Sequence, residues 1–328
     1  MRCLVAGLAF ALTYSLLAPS ASAADPVKKP TYDDPAQVDA DFALQGEYQG
    51  TVQRGEGTIP LGIQVIARGD GKFTAVGHHG GLPDDPKRES HRREAQGTLK
   101  DGAVTFNDGW TATLKGDEIT ITTDDGKTLG TLKKTLRTSP TQGEKPPAGA
   151  IVLFDGSSVD AFPGAKMTED KLLTQGATSK QKFQNHRLHI EFRTPYQPFD
   201  AGQGRGNSGV YLQGRYEVQV LDSFGLLGKN NECGGIYTIA EPAVNMCYPP
   251  LSWQTYDIDY TAAIYDGEKK TKNARITVKH NGVTIHDDVE LPKGTTAAPV
   301  KEGSDAGPLY LQNHGNPVRY RNIWVVEK

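Results

Sequence analysis

Residues Gly206 to Ser223 read GNSGVYLQGRYEVQVLDS, and this stretch decides the fold class. Val210 and Leu212, then Val218 and Val220, alternate with polar partners, which is the period-two pattern of half-buried strands. Gly214 and Arg215 interrupt the alternation, so the stretch divides into two strands joined by a tight turn or a bulge. Glu217, Gln219 and Leu221 share one face because side chains alternate across a strand. An ionisable group and an amide at that repeat give a polar surface on the side away from the valines.

Outward from this pair the same pattern recurs. Toward the C-terminus, strands are expected at Gly235 to Ile239, Gln254 to Tyr260, Ala274 to His280, Val283 to Val289, Pro308 to Gln312 and Arg319 to Val325; toward the N-terminus, at Leu188 to Arg193 and Ile151 to Phe154. Asn281-Gly282 between two alternating runs is a hairpin signal. About ten strands with no amphipathic helix predict two packed antiparallel sheets, a jelly-roll sandwich, over 150–328. A Pro-rich linker, 138–149, precedes it. Residues 46–137 hold eight short strand patterns separated by turns such as Gly69-Asp70-Gly71 and Lys100-Asp101-Gly102, predicting a small antiparallel barrel or sandwich. The chain is therefore all-β, with two domains.

The 37 glycines, 20 prolines and formal charge of −3 suit a turn-rich β protein and give no footprint for nucleic acid. Met1-Arg2, the apolar run Cys3 to Leu17 and Ala21-Ser22-Ala23 have the order of a secretory signal peptide ending at residue 23. The expectation is an exported mature chain, periplasmic or extracellular, without a transmembrane segment. Residues 24–45, rich in Asp, Pro and Lys, read as a flexible leader. Export leaves Cys233 and Cys247, an even pair and a disulfide candidate, with two buried free thiols as the alternative. His78-His79 and the basic run Lys87 to Arg93 read as a polar loop, since adjacent histidines on a strand point to opposite faces.

The segments LFDG, LHIEFR, NSGVYLQGRYEVQVLDS, GGIY, WQTYDI, ITVKHNGVTIHD and GPLYLQNHGNPVRYRNIWV together resemble the 3-keto-disaccharide hydrolase family over roughly 150–328. The resemblance implies a concanavalin-like sandwich and cleavage of the glycosidic bond of sugars oxidised to a ketone at C3. A carbonyl at C3 acidifies the C2 hydrogen, so a base can remove it and the group on C1 can leave. Such a site needs that base, a donor for the enolate oxygen and an acid for the leaving oxygen.

Glu217, Gln219 and Asp222 fall at E-x-Q-x-x-D, where glucanases of similar fold carry E-x-D-x-x-E. The amide and the shorter last carboxylate weaken a two-carboxylate glucanase mechanism. Glu217, His314 and Asp222 are the candidate acid/base residues, His314 because it sits in a loop at a strand end. Arg193, Gln219, Asn207 and Glu191 are candidates for holding the sugar, with Tyr211 and Trp253 for stacking on it. A divalent metal on Glu217, Asp222, Glu191 or His314 is open, since no H-x-H or clustered carboxylate motif demands one. The sandwich also serves lectins, so a non-catalytic carbohydrate-binding module and an ordinary endo-glucanase are the alternatives.

Overall fold

The computed structural model describes residues 29–328; the expected signal peptide and the first residues of the expected leader lie outside the described residues. Eight strands follow one another in the first domain: β1 (Gly46–Arg54), β2 (Gly57–Ala67), β3 (Lys72–His79), β4 (Arg92–Lys100), β5 (Ala103–Asn107), β6 (Thr111–Lys115), β7 (Glu118–Thr122) and β8 (Thr128–Thr135). Each pairs antiparallel with the next, and β1 closes on β8 to make a barrel. Asp70, Gly71, Asp101 and Gly102 take the positive φ that tight connections require. Tyr48, Val65, Phe73, Phe106, Leu114 and Leu132 fill the interior. The outward Ile66 and Val76 of β2 and β3 belong instead to the core of the second domain. The barrel thus packs side-on, and Gly225 is where the two chains of contact meet: any side chain there would strike Ile66.

The second domain has thirteen strands. A seven-stranded sheet takes the order β10 (Leu173–Thr174), β21 (Arg319–Glu327), β12 (His186–Arg193), β15 (Gln254–Thr261), β18 (Ala274–His280) and β19 (Val283–Leu291), with β9 (Ile151–Phe154) also on β21. A four-stranded sheet takes the order β11 (Ala177–Phe183), β20 (Gly307–Leu311), β13 (Ser208–Leu212) and β14 (Tyr216–Val220). β16 (Ile264–Asp266) and β17 (Lys269–Lys272) form a separate hairpin. Leu188, Ile190 and Phe192 of β12 and Tyr256, Ile258 and Tyr260 of β15 share one core with Val210, Leu212, Val218 and Val220. The Asn281-Gly282 hairpin forms as expected, both residues at positive φ.

Three expectations are corrected. Gly235 to Ile239 is not a strand: Gly234 and Thr238 take positive φ, so the segment makes only single bridges from Ile236 to Val218 and Ala240. It lies along the free edge of β14, with Gln219 N donating to Gly235 O at 2.9 Å. Cys233 and Cys247 are free, buried thiols. Cys233 Sγ lies 3.2 Å from Tyr256 Oη, and Cys247 Sγ donates to Leu221 O at 3.5 Å; both serve as small core residues. The described part of the leader is ordered. Asp34 and Asp39 cap two 3-10 turns, Pro35–Gln37 and Ala40–Ala43. Tyr32 stacks on Tyr196 at 5.6 Å, and Phe42 meets the same ring edge-on at 5.0 Å. Two aromatics and two capping carboxylates outweigh a composition that reads as disordered, and the segment plugs one end of the barrel.

The linker is ordered as well and straps the outer face of the seven-stranded sheet. Arg137, the last residue before the linker, donates from Nε to Glu47 Oε2 of the barrel at 2.6 Å and sets its guanidinium 4.9 Å from the Tyr248 ring of the sandwich, tying the two. Thr141 Oγ1 donates to Asp257 Oδ2 at 2.7 Å, and Gly143 N to Glu191 Oε1 at 2.5 Å. Beneath it His189 Nδ1 holds Asp257 Oδ1 at 2.7 Å, with Glu191 Oε1 3.7 Å from Nε2. Arg321 Nε donates to Glu191 Oε2 at 2.7 Å. Burial opposes the imidazolium, but hydrogen bonds and charges from Asp257 and Glu191 outweigh it and raise the His189 pKa from 6.5 to about 9. Burial also opposes the Glu191 carboxylate, and bonds from His189, Asn322, Gly143 and Arg321 lower its pKa from 4.5 to about 2.

The raised histidine contributes stability that is full below pH 6.5 and is lost as pH rises through about 9. The lowered glutamate contributes stability that is full above pH 4.5 and is lost as pH falls toward about 2. Urea midpoints are therefore expected to fall between pH 6.5 and 9, and His189→Gln to flatten that limb. An equally steep limb in the variant would show that the strap does not depend on this ion cluster.

Candidate active site

The β13–β14 hairpin pairs Gly209 with Gln219 and Tyr211 with Glu217. Val210, Leu212, Tyr216, Val218 and Val220 point into the core, so Gly209, Tyr211, Glu217 and Gln219 point to the outer face of the four-stranded sheet. Glu217 is 3% exposed. Tyr211 Oη donates to its Oε2 at 2.8 Å, and Gln312 Nε2 donates to Tyr211 Oη at 3.1 Å. Thr295, on the loop after β19, accepts Glu217 N at 3.0 Å. The carboxylate lies across Gly209, where a Cβ would overlap its Oε1.

Burial raises the Glu217 pKa from 4.5 to about 7, and the Tyr211 hydrogen bond only partly offsets it. Burial and the neighbouring carboxylate push Tyr211 well up, so it remains a donor. Near neutrality Glu217 can either accept or give a proton, the property an acid/base catalyst needs.

A row of amides continues from Glu217. Gln219 Nε2 donates to Asn207 Oδ1 at 2.9 Å and to Ser208 O at 2.7 Å. Asn207 Nδ2 donates to Gln203 O at 2.8 Å, and Asn207 N to Asn316 Oδ1 at 3.0 Å. Gln312 and Asn316 thus attach one loop to both ends of the row. His314 stands between them on that loop and is exposed.

Glu217, Tyr211, Gln219 and Asn207 are therefore brought together, with His314 on the adjoining loop. Glu191, Arg193 and Trp253 are not. β12 lies in the other sheet, and its outward residues face the opposite side of the sandwich beneath leader and linker. Arg193 Nη2 donates to Asp33 O at 2.8 Å, and its guanidinium lies 5.1 Å from the Trp253 ring centroid. Arg321 lies over the same ring at 3.9 Å, so Trp253 stacks on arginines. Asp222 also leaves the row: it is buried, with Arg205 Nε donating to its Oδ2 at 2.5 Å. Arg205 in turn donates to Ala67 O of the barrel at 3.4 Å, which makes Asp222 an interdomain anchor.

The four residues considered as metal ligands are dispersed by the same geometry. Glu144, His189 and Asp257 do place ligand atoms within 4.8 Å of one another, but the short His189–Asp257 bond makes them part of the ion cluster under the linker. Gln203, Thr295 and Asn316 join the site without having been singled out in the sequence. They come from loops of no regular pattern; only Gln312 carried a signal, inside the LQNHG run.

Residues 149–326 match the model of the 3-keto-alpha-glucoside-1,2-lyase-like domain. No curated protein matches the chain. Among solved structures, a "putative glycosyl hydrolase" from Parabacteroides distasonis is 34% identical, with TM-score 0.52, over 56% of this chain and 85% of that one. A second structure so described, from the same organism, is 17% identical with TM-score 0.42, over 59% of this chain and 98% of that one. No helix among the described residues is long and apolar enough to cross a membrane. The match spans the whole sandwich and leaves the barrel aside, and on it the chain belongs to the 3-keto-alpha-glucoside-1,2-lyase-like domain family.

Proposed function

We propose that the chain cleaves the C1–O bond of glycosides carrying a ketone at C3, on the outer face of the four-stranded sheet. The observation that carries this reading is a lone carboxylate, Glu217, tuned to titrate near neutrality and set at the end of a row of amides. An ordinary retaining or inverting glycosidase needs two carboxyl groups across the bond. Asp222, which the spacing offers as the second, is neutralised by Arg205. Elimination beside a ketone needs only one base and one acid.

In this mechanism Glu217 takes the C2 proton, and the C–H electron pair passes into the enolate of the C3 ketone. The enolate then expels the C1 oxygen, which receives a proton from His314, leaving a C1=C2 bond conjugated with the ketone. Water then adds at C1 as His314 takes its proton, and Glu217 returns its proton to C2, which restores both groups. Gln312, partly exposed beside Tyr211, hydrogen-bonds a sugar oxygen, and the buried Asn207 and Gln219, whose amide hydrogens are donated to Gln203, Ser208 and Asn207, hold the hairpin beneath it. Support comes from the family, from the 34% identical glycosyl hydrolase-like neighbour and from the state of Glu217. The carbohydrate partner and the exported, periplasmic or extracellular location belong to the same proposal.

Incubation with 4-nitrophenyl 3-keto-glucoside and with its unoxidised parent is expected to release nitrophenol from the first alone. Saturable binding of the keto-sugar without release would instead identify a binding module. Glu217→Gln is expected to lower kcat by about 100-fold or more, the usual yield of a positioned acid/base. With Glu217 acting as base, kcat/KM should carry a limb that rises with pH through about 7 and is lost in Glu217→Gln, while the limb that falls at higher pH belongs to the proton donor and is lost in His314→Gln; a Glu217-dependent limb that falls through about pH 7 would reverse its role.

Gly209→Ala should displace the carboxylate and cost at least about tenfold in kcat, overpacking typically disturbing a site by about 1–3 kcal/mol. Unchanged turnover in this variant, with unchanged far-ultraviolet circular dichroism, would remove Glu217 from the mechanism.

A further inference from the structure

The strand pairing puts four residues in one line across the outer face of the four-stranded sheet. Glu217 of β14 pairs with Tyr211 of β13, Tyr211 with Tyr310 of β20, and Tyr310 with Thr178 of β11. Leu309 and Leu311 enter the core, so Tyr310 and Gln312 stand on the same outer face as Glu217. Exposure grows along the line: Glu217 and Tyr211 are buried, Tyr310 is half-buried and Thr178 is exposed. Neighbouring strands lie about 4.8 Å apart, so two steps set Tyr310 about 10 Å from Glu217. That leaves room for a reacting sugar ring and its glycosidic oxygen before the tyrosine is reached.

Tyr310 is the ring of this line that a ligand can reach. Tyr211, expected from the sequence to stack on a sugar, is 0% exposed and is engaged with Glu217 and Gln312. Its ring backs that of Tyr310, centroids 5.4 Å apart and planes 49° from parallel. Thr178 on the next strand, and Gln312 and Asn313 just beyond Tyr310 on its own, are partly or fully exposed. A reachable ring bordered by a hydroxyl and two amides suits a pyranose, whose CH faces are apolar and whose edge carries hydroxyls. The direction follows from the two proton-transfer groups. Glu217 stands on β14, and His314, which protonates the leaving oxygen, is on the loop directly after β20, so the leaving group departs toward β20. On the opposite side the edge of β14 is covered, with Gln219 N donating to Gly235 O at 2.9 Å.

Resting on the function proposed above, we infer that Tyr310 determines specificity for the leaving group: it is the platform on which the departing sugar ring stacks, with Thr178, Gln312 and Asn313 at the edge of that ring. The substrate then lies across the strands, its 3-keto ring at Glu217 and its other ring over β20.

Turnover is compared on a 3-keto-glucosyl-glucose and on methyl 3-keto-glucoside, which has the reacting ring and no second one. Tyr310→Ala is expected to lose at least about fivefold more kcat/KM on the disaccharide than on the methyl glycoside, mainly through KM, and Tyr310→Phe to regain most of that loss. Equal losses on both substrates, or a loss carried by kcat alone, would show that Tyr310 merely supports Tyr211 and Glu217, and would overturn the proposal. So would an undiminished disaccharide rate in Tyr310→Ala. The platform is also read without turnover, in Glu217→Gln titrated calorimetrically with the 3-keto-disaccharide, where adding Tyr310→Ala should weaken binding about fivefold or more. If the wild type cleaves neither substrate, that failure belongs to the function proposed above, and the titration alone decides the platform. No saturable heat, or equal affinity with and without the Tyr310 ring, would overturn it. Should Tyr310→Ala fail to fold, Tyr310→Thr, a strand former without the ring, takes its place.

Discussion

Everything about the candidate site depends on the burial of one face of a single hairpin. Val210, Leu212, Tyr216, Val218 and Val220 enter the core between the two sheets, and each buried aliphatic side chain is worth about 1.5–3 kcal/mol. A slip of one residue would put all of them in solvent, so the register is held by apolar packing far stronger than any polar contact on the other side. Gly209, Tyr211, Glu217 and Gln219 are carried to the outer face as a consequence. Once there, loops close around them, and the burial of Glu217 changes an ordinary carboxyl group into one that titrates near neutrality. The chemistry is a by-product of where the valines must go.

The same physics explains why one sheet carries a site and the other does not. The seven-stranded sheet also presents polar residues on its outer face, including Glu191, His189 and Arg193. There the linker and leader lie across them and supply their partners: Gly143 N, Thr141 Oγ1 and Asp33 O. A buried charge with its partners satisfied is a structural element. On the four-stranded sheet the Asn207 and Gln219 amides are likewise satisfied by neighbours, whereas the Glu217 carboxylate, held by Tyr211, meets no cation among the described residues to offset its burial and its pKa rises to about 7. The barrel contributes to this arrangement by its position. Packed side-on through Ile66 and Val76, and tied by Arg205 and Arg137, it keeps leader and linker where they cover the larger sheet.

A good deal of this was legible in the residues. Alternation in Val210 to Val220 announced a strand pair, Asn281-Gly282 announced a hairpin, and Asp-Gly turns announced the eight-stranded first domain; these are local signals with local physical causes, sterics and positive φ. The ordered segments from LFDG to NIWV carried the family. What misled was composition. The leader's prolines and aspartates suggested disorder, yet Tyr32, Phe42 and two capping carboxylates anchor it. The cysteine count suggested a bridge, yet both thiols are packed as small core residues.

The sequence by itself determined that the chain is all-β, that Glu217 and Gln219 share a face, and which family the second domain joins, because strand alternation and turn chemistry act over a few residues. Only the tertiary structure decided which sheet each strand enters. That choice separates Glu191 and Arg193 from Glu217, although β12 and β14 carry the same alternating pattern. It also decided that Asp222, three residues from Gln219, is spent on Arg205. Layer assignment and partner choice come from packing between segments distant in the chain, and no periodicity within one strand encodes them.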